Sequence, residues 1–278
     1  MNKLLIAVVA CVAVMFSCKG DKTAGKEGEV LADTADTIKE NPDSVEEAIM
    51  ESPVPKTVDE LFDDFFFNFI VNRKMQYSRI HFPLAEKRDG KTVMIERRQW
   101  KMDHFFMNQG YYTLIFDNKR QLGLLKDTSI NHVVVEKIYL NRRRVKQYVF
   151  EREHGLWMLN AIVHKGTYAT MNASFLEFYR RFANDTTFQL KSLNDPVTFT
   201  GPDPDDDFKQ MSGVITPDTW LAFSPEMPVK MIYNIIYGQN YTESNRKVFL
   251  IRGIANGLEI EMVFRRTRGK WMLTSLAT

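Results

Sequence analysis

Apolar positions change spacing several times along this 278-residue chain, and each change marks a different kind of segment. Every position from Leu4 to Phe16 is apolar. Residues 19–55 then contain no aromatic side chain. From Val58 onward a helical spacing sets in: Val58, Leu61, Phe62, Phe65, Phe66 and Phe69 recur at three and four residues and make one apolar face. Asp59, Asp63 and Asp64 lie off that face. A phenylalanine stripe at this spacing is core. A short helix is expected over 96–108. Strands follow at Val133–Val135, Ile138–Leu140, Gln147–Glu153 and Leu156–His164, with a turn at Gly155. The order then repeats. A helix face of Phe175, Phe178, Tyr179 and Phe182, capped by Asn172 or Ser174, leads to a short helix at 217–223 and strands at 229–237, 247–254, 258–266 and 270–276. The last two strands of each half read as an antiparallel hairpin.

The repetition holds position by position. Phe62, Phe65, Phe69, Gln76 and Pro83 have counterparts at one constant offset, 113, in Phe175, Phe178, Phe182, Gln189 and Pro196. Gly155-Leu156-Trp157-Met158-Leu159 matches Gly269-Lys270-Trp271-Met272-Leu273 at an offset of 114. Two nearly equal offsets at the two ends of a unit indicate a tandem duplication, with copies over 57–165 and 166–278. Trp100 and Trp220 align only at an offset of 120, so the second copy carries an insertion near Gly201–Gly213 and a later deletion. The fold class is therefore α+β: two tandem repeats, each an N-terminal helix on a curved antiparallel sheet. Residues two apart share a strand face, so Trp157 with Leu159 and Trp271 with Leu273 are expected to point into two separate cores.

The apolar run at 4–16 is too short for a lasting membrane span, which takes about 20 residues. It follows Lys3 and ends at Ser17-Cys18, ahead of polar Lys19-Gly20-Asp21: the layout of a cleaved leader, residues 1–17. Met15-Phe16-Ser17-Cys18 resembles a relaxed lipobox of the kind found in Bacteroidota lipoproteins, which implies lipidation at Cys18 and a membrane-anchored protein of the cell envelope, facing the periplasm or the cell surface. Cys11 leaves with the leader, so the mature chain has one cysteine and no thiol for a disulfide, a metal or a nucleophile. Residues 19–56 carry 5 Lys and 10 Asp or Glu; residues 57–278 carry 31 Lys or Arg and 25 Asp or Glu. An acidic segment that cannot bury apolar surface reads as a disordered tether over 18–56. The mild positive excess beyond it, with no dense basic stretch except Arg142-Arg143-Arg144, gives no reason to expect nucleic acid as a partner. Within the tether, Asp33-Thr34-Ala35, Asp36-Thr37-Ile38 and Asp43-Ser44-Val45 resemble the O-glycosylation signal of Bacteroidota envelope proteins, which implies sugar on Thr34, Thr37 and Ser44.

A unit that opens with a long helix and closes on a Gly-x-Trp-x-Leu hairpin resembles the nuclear-transport-factor-2-like fold, a bent sheet wrapped around a helix to form a cone. The leader, Phe65-Phe66-Phe67-Asn68-Phe69 and the paired Trp-Met-Leu strands also resemble an uncharacterised family of Bacteroidota lipoproteins. The resemblance implies a location and a fold and no particular reaction.

Chemistry is sparse. The five histidines form no zinc spacing, and no nucleophile elbow, phosphate loop or dinucleotide turn is present, so neither metal nor cofactor is expected. Enzymes of the cone fold use a pocket Asp or His as base, and Arg79 and His81, in a stretch that alternates like a strand, are the candidate ligand-binding pair. Asp203-Pro204-Asp205-Asp206-Asp207 has the charge for calcium and lacks the glycine and distal glutamate of an EF-hand loop; it reads as a solvated insertion. These features favour a non-catalytic module that binds an envelope ligand or protein. The alternatives are a small-molecule isomerase or hydrolase using a pocket in one cone, and a structural envelope factor.

Overall fold

A computed structural model describes residues 57–203, 205–238 and 243–278, apart from the side chains of 207 and 208. The leader, Cys18, the tether and the sites at Thr34, Thr37 and Ser44 lie outside the described residues.

The first half runs α1 (Phe62–Val71), α2 (Arg73–Ser78), β1 (Ile80–Arg88), β2 (Lys91–Ile95), β3 (Tyr111–Phe116), β4 (His132–Tyr139), β5 (Arg144–Glu153) and β6 (Leu156–Gly166). The second runs α3 (Ala173–Phe182), α4 (Thr186–Leu190), β7 (Leu193–Asp203), β8 (Asp206–Ile215), α5 (Trp220–Phe223), β9 (Met231–Ile236), β10 (Arg246–Gly253), β11 (Glu259–Thr267) and β12 (Lys270–Ala277). The closing hairpins turn on His154-Gly155 and Arg268-Gly269, where both central residues have positive φ, the geometry that suits the twist of paired strands. The β7–β8 hairpin is longer than β1–β2 and ends in the acidic stretch that starts at Asp203. The helix expected at 96–108 is reduced to single turns at Arg97–Gln99 and Met107–Gln109. Its backbone is taken by α2 instead: Gln76 accepts from Asp103 N at 3.0 Å and donates to Asp103 O at 3.0 Å.

Two six-stranded sheets result, ordered β2-β1-β6-β5-β4-β9 and β8-β7-β12-β11-β10-β3. The plan is the same in both, with one parallel pair in each: β1 on β6 and β7 on β12. Neither sheet is self-contained. Strand β3 of the first half pairs with β10 of the second, and β9 of the second pairs with β4 of the first. The third strands are exchanged, and they meet at Thr113 and Tyr233, whose offset of 120 is also that of the paired tryptophans: the Thr113 hydroxyl donates to Tyr233 O and accepts from Tyr233 N. The exchange explains the unbroken apolar run at Val248–Ile251. Phe249 and Ile251 enter one core while Val248 and Leu250 enter the other, so both faces of β10 are buried.

Two cores follow the two phenylalanine stripes. In the first, Trp157 meets Phe62 and Phe65 at ring centroids of 5.0 and 6.4 Å; in the second, Trp271 meets Phe175 and Phe178 at 5.5 and 6.3 Å. Leu159 and Leu273 are buried beside them, as the two-residue spacing requires. The other tryptophans are anchored alike: Trp100 donates to Gln76 at 2.9 Å and Trp220 to Gln189 at 2.8 Å, while each glutamine donates to the last turn of its helix, at Phe69 O and Phe182 O. One buried polar network breaks the symmetry. Glu136 accepts from Gln147 and Asn234, and Asn234 accepts from Ile115 N, tying β9 to β4 and β3. Buried polar groups paired in this way specify strand register, because a slip would orphan them all.

Candidate functional site

In both halves aromatic rings pack between helix and sheet. Phe62, Phe65, Phe66, Phe69 and Phe150 pack ring on ring in the first, and Phe175, Phe178, Phe182 and Phe264 in the second. Polar chemistry gathers at the edge of the first core, between the halves and beside the second core.

The densest group lies in the first half and reaches into its core. Asp103 follows the anchored Trp100, and its carboxylate accepts from Phe105 N at 2.9 Å and from the Tyr148 hydroxyl. Lys137 lies 3.9 Å away, and the Lys146 ammonium stands 4.6 Å from the centre of the Tyr148 ring. Burial pushes the Lys146 ammonium below its ordinary range, with Asp103 and Glu86 opposing. Burial and Asp103 hold Tyr148 and Tyr233 protonated far above the ordinary phenol range. Tyr233 arrives from the other half on β9, and its hydroxyl has no partner among the described residues. A carboxylate, two amines and two protonated phenols can bind a polar ligand or move a proton.

A second group lies between the halves. Asp63 accepts from the Tyr237 hydroxyl at 2.7 Å. Burial raises its carboxyl to about 6, against the opposing pull of that hydrogen bond and of Arg252.

Arg79 and His81 are not brought together. Arg79 precedes β1 instead of lying within it, and its guanidinium grips both oxygens of Asp59, at 3.0 and 2.8 Å. Asp59 also accepts from Trp157 N at 2.9 Å. His81 is half exposed and bonds Glu153 at 2.9 Å. The shared face expected for the pair is therefore absent: one residue serves the core, the other the surface. His132 and His164 likewise bond carboxylates, Glu151 and Glu86, at 2.6 Å each. Among the described residues no group of three His, Cys, Asp or Glu is placed to hold a metal ion. In the acidic tip, Asp203 accepts from Asp205 N at 3.0 Å and Asp206 pairs with Lys209 at 2.8 Å.

The second half has a cleft of about 480 Å³ beside α3, floored by Phe178, Phe188 and Trp271 and edged by Arg181, Lys191 and Lys270. Ser192 lines it at the position that Arg79 takes in the first half. Sequence reasoning passes over this cleft because its cations come from three separate elements and belong to no motif. It also passes over Asp103, which lies in the stretch expected to be helical.

Residues 41–278 match the family described as a domain of unknown function, DUF4348. The chain belongs to the DUF4348 family. It is also similar to the crystal structure of an NTF2-like protein from Bacteroides fragilis, with a TM-score of 0.74 and 38% identity, over 81% of this chain and 98% of that one. The cone architecture expected from helix and hairpin is thus that of a solved relative. No curated protein matches the chain.

Proposed function

We propose that this DUF4348 protein is a lipid-anchored envelope protein whose two NTF2-like halves, descended from a tandem duplication, act as a non-catalytic binding module for an envelope ligand or protein. The observation that carries the binding reading is the packing of aromatic rings inside both halves, with the cleft of the second half open beside α3, where a bound molecule stays in contact with solvent or a second protein. The anchor reading rests on the leader and Ser17-Cys18, with Thr34, Thr37 and Ser44 as glycosylation sites on a tether that spaces the domain from the membrane. Native mass spectrometry of the protein isolated from its own host's envelope tests it. An added mass that is lost on denaturation, or a crosslinked envelope partner, supports a binding module. A bare chain with neither overturns it. Acyl labelling that persists in Cys18→Ala ends the anchor reading, and an unmodified tether mass ends glycosylation.

A second reading, an isomerase- or hydrolase-type reaction in the first cone, is favoured by the Asp103 carboxylate bonded to the Tyr148 phenol beside two lysines. Turnover of a small-molecule substrate that Asp103→Asn abolishes would replace binding by catalysis.

A further inference from the structure

We infer that the cleft of the second half, between α3 and the β11–β12 turn, is a binding site for an anionic ligand with a flat apolar body. The inference rests on the binding-module reading and names the site and the ligand chemistry.

The cleft has the size of a small-molecule site, about 480 Å³. Its floor is aromatic: Phe178 and Phe188 lie 5.8 Å apart at their centroids, and Trp271 lies 6.3 Å from Phe178. The Trp271 indole N–H is already satisfied by Ser174 at 2.8 Å, so the ring, buried except where it lines the cleft, asks for no acceptor. Around the edge stand three exposed cations, and no carboxylate among the described residues forms an ion pair with any of them. The Arg181 guanidinium lies 4.0 Å from the centre of the Phe188 ring. Lys191 and Lys270 extend from the end of α4 and the start of β12. The one carboxylate of the lining, Glu177, is occupied by Arg180 at 2.8 Å and Arg143 at 2.9 Å, which holds it ionised and turns its charge to partners outside the cleft. Aromatic faces take a flat apolar body, and free guanidinium and ammonium groups at its edge take the anion.

The first half shows what this site looks like closed. The counterparts of Arg181, Lys191 and Lys270 are Asn68, Ser78 and Leu156, so all three cations are missing. The counterpart of Ser192 is Arg79, folded onto Asp59 and only 16% exposed. Asn172 replaces Asp59, an amide without the charge that holds a guanidinium. The first-half cleft of about 440 Å³ near Arg152 includes none of Phe65, Met75, Arg79 and Trp157, the counterparts of the aromatic floor and its surround. Two short neutral side chains therefore stand in the second half where an ion pair closes the first.

The probe is 8-anilinonaphthalene-1-sulfonate, titrated by fluorescence into the unlipidated full chain, with N-phenyl-1-naphthylamine, the same skeleton without the sulfonate, alongside. Binding elsewhere on the chain is common to all variants and cancels. Lys191→Glu/Lys270→Glu should weaken sulfonate binding about tenfold, since each exposed charge contributes modestly, and leave the neutral probe unchanged. Lys87→Glu/Lys91→Glu, the same charge change on the exposed first-half hairpin, should do nothing. Asn172→Asp/Ser192→Arg, which rebuilds the first-half ion pair, should abolish binding of both probes at this site. Equal weakening by the two lysine pairs, or a neutral probe that binds as tightly as the sulfonate, overturns the inference. If the rebuilt pair lowers the melting temperature, the lysine pairs decide alone. Loss here together with a native ligand held elsewhere leaves the binding-module reading standing.

Discussion

The two halves of the molecule share a strand order, a phenylalanine stripe, a Gln–Trp anchor and a closing tryptophan, yet they treat the ground beside that tryptophan differently. In the first half, Asp59 binds both Arg79 and the Trp157 backbone, so the start of the domain is tied to the final hairpin by charge-assisted bonds. In the second, neutral Asn172 stands in place of Asp59, Ser192 turns inward to Phe188 O, and a cleft opens with cations at its edge. What is common to the halves is what a cone needs in order to fold. What differs lies at the rim, where a substitution changes surface chemistry without disturbing the packing of the rings.

The largest expected effect lies in what the two halves share. Trp157→Ala and Trp271→Ala remove equivalent buried rings and should each cost about 3–5 kcal/mol, read by denaturant unfolding. A large cost for one and a negligible cost for the other would deny the equivalence of the two cores. Next comes the difference. Asp59→Ala strands the Arg79 guanidinium and the Trp157 N–H and should cost about 2–3 kcal/mol, while Asn172→Ala, which strands no charge and removes no side-chain cap of α3, should cost less than about 1 kcal/mol. Similar losses would mean that the ion pair is not what distinguishes the first half.

Asp63 offers a pH test with no counterpart in the other stripe, where Leu176 stands at its position. Its native carboxyl keeps the proton up to about 6, from an ordinary value of 3.8. The folded state therefore binds more protons than the unfolded state between those values, and stability falls as pH rises from about 4 to 6 and stays lower above it. The shift corresponds to about 3 kcal/mol at most, and to about 1–2 kcal/mol once solvent at a partly exposed carboxyl is allowed for. Asp63→Asn should remove that fall and raise the melting temperature at pH 7 while leaving it nearly unchanged at pH 4. A variant that melts below the parent at neutral pH would show that the ionised form is the stabilising one. The smallest effect separates the two closing tryptophans. Trp271→Phe loses the bond to Ser174, whereas the Trp157 indole N–H has no partner among the described residues, so Trp271→Phe should be the costlier by about 1 kcal/mol.

Local periodicity makes the stripes at 62–69 and 175–182 readable, and the paired Gly-x-Trp-x-Leu runs make the closing hairpins readable, because neighbours along the chain decide both. The stretch 96–108 defeats the same reading for the opposite reason: Gln76, which precedes the whole β1–β2 hairpin, takes the backbone groups that a helix would use. The bond between Asp103 and Tyr148 is hidden with it. Arg79 stands out in the sequence but suggests the wrong company, since its partner Asp59 lies before α1 and both helices separate the two along the chain.

Spacing along the chain marks two phenylalanine stripes and two Gly-x-Trp-x-Leu runs, names the residues that form the two cores, and shows a leader-like apolar run followed by an acidic segment. Which sheet each strand joins depends on contacts between distant parts of the chain. Tyr111–Phe116 and Met231–Ile236 are largely apolar on both faces, so their pattern fits either sheet equally well. The choice is made by Thr113 meeting Tyr233 and by Asn234 meeting Glu136 and Ile115, contacts between the two halves that no local spacing contains. The cleft belongs to the same class: Arg181, Lys191 and Lys270 become neighbours because β12 returns beside α3 and α4, and no spacing between them records that they will meet.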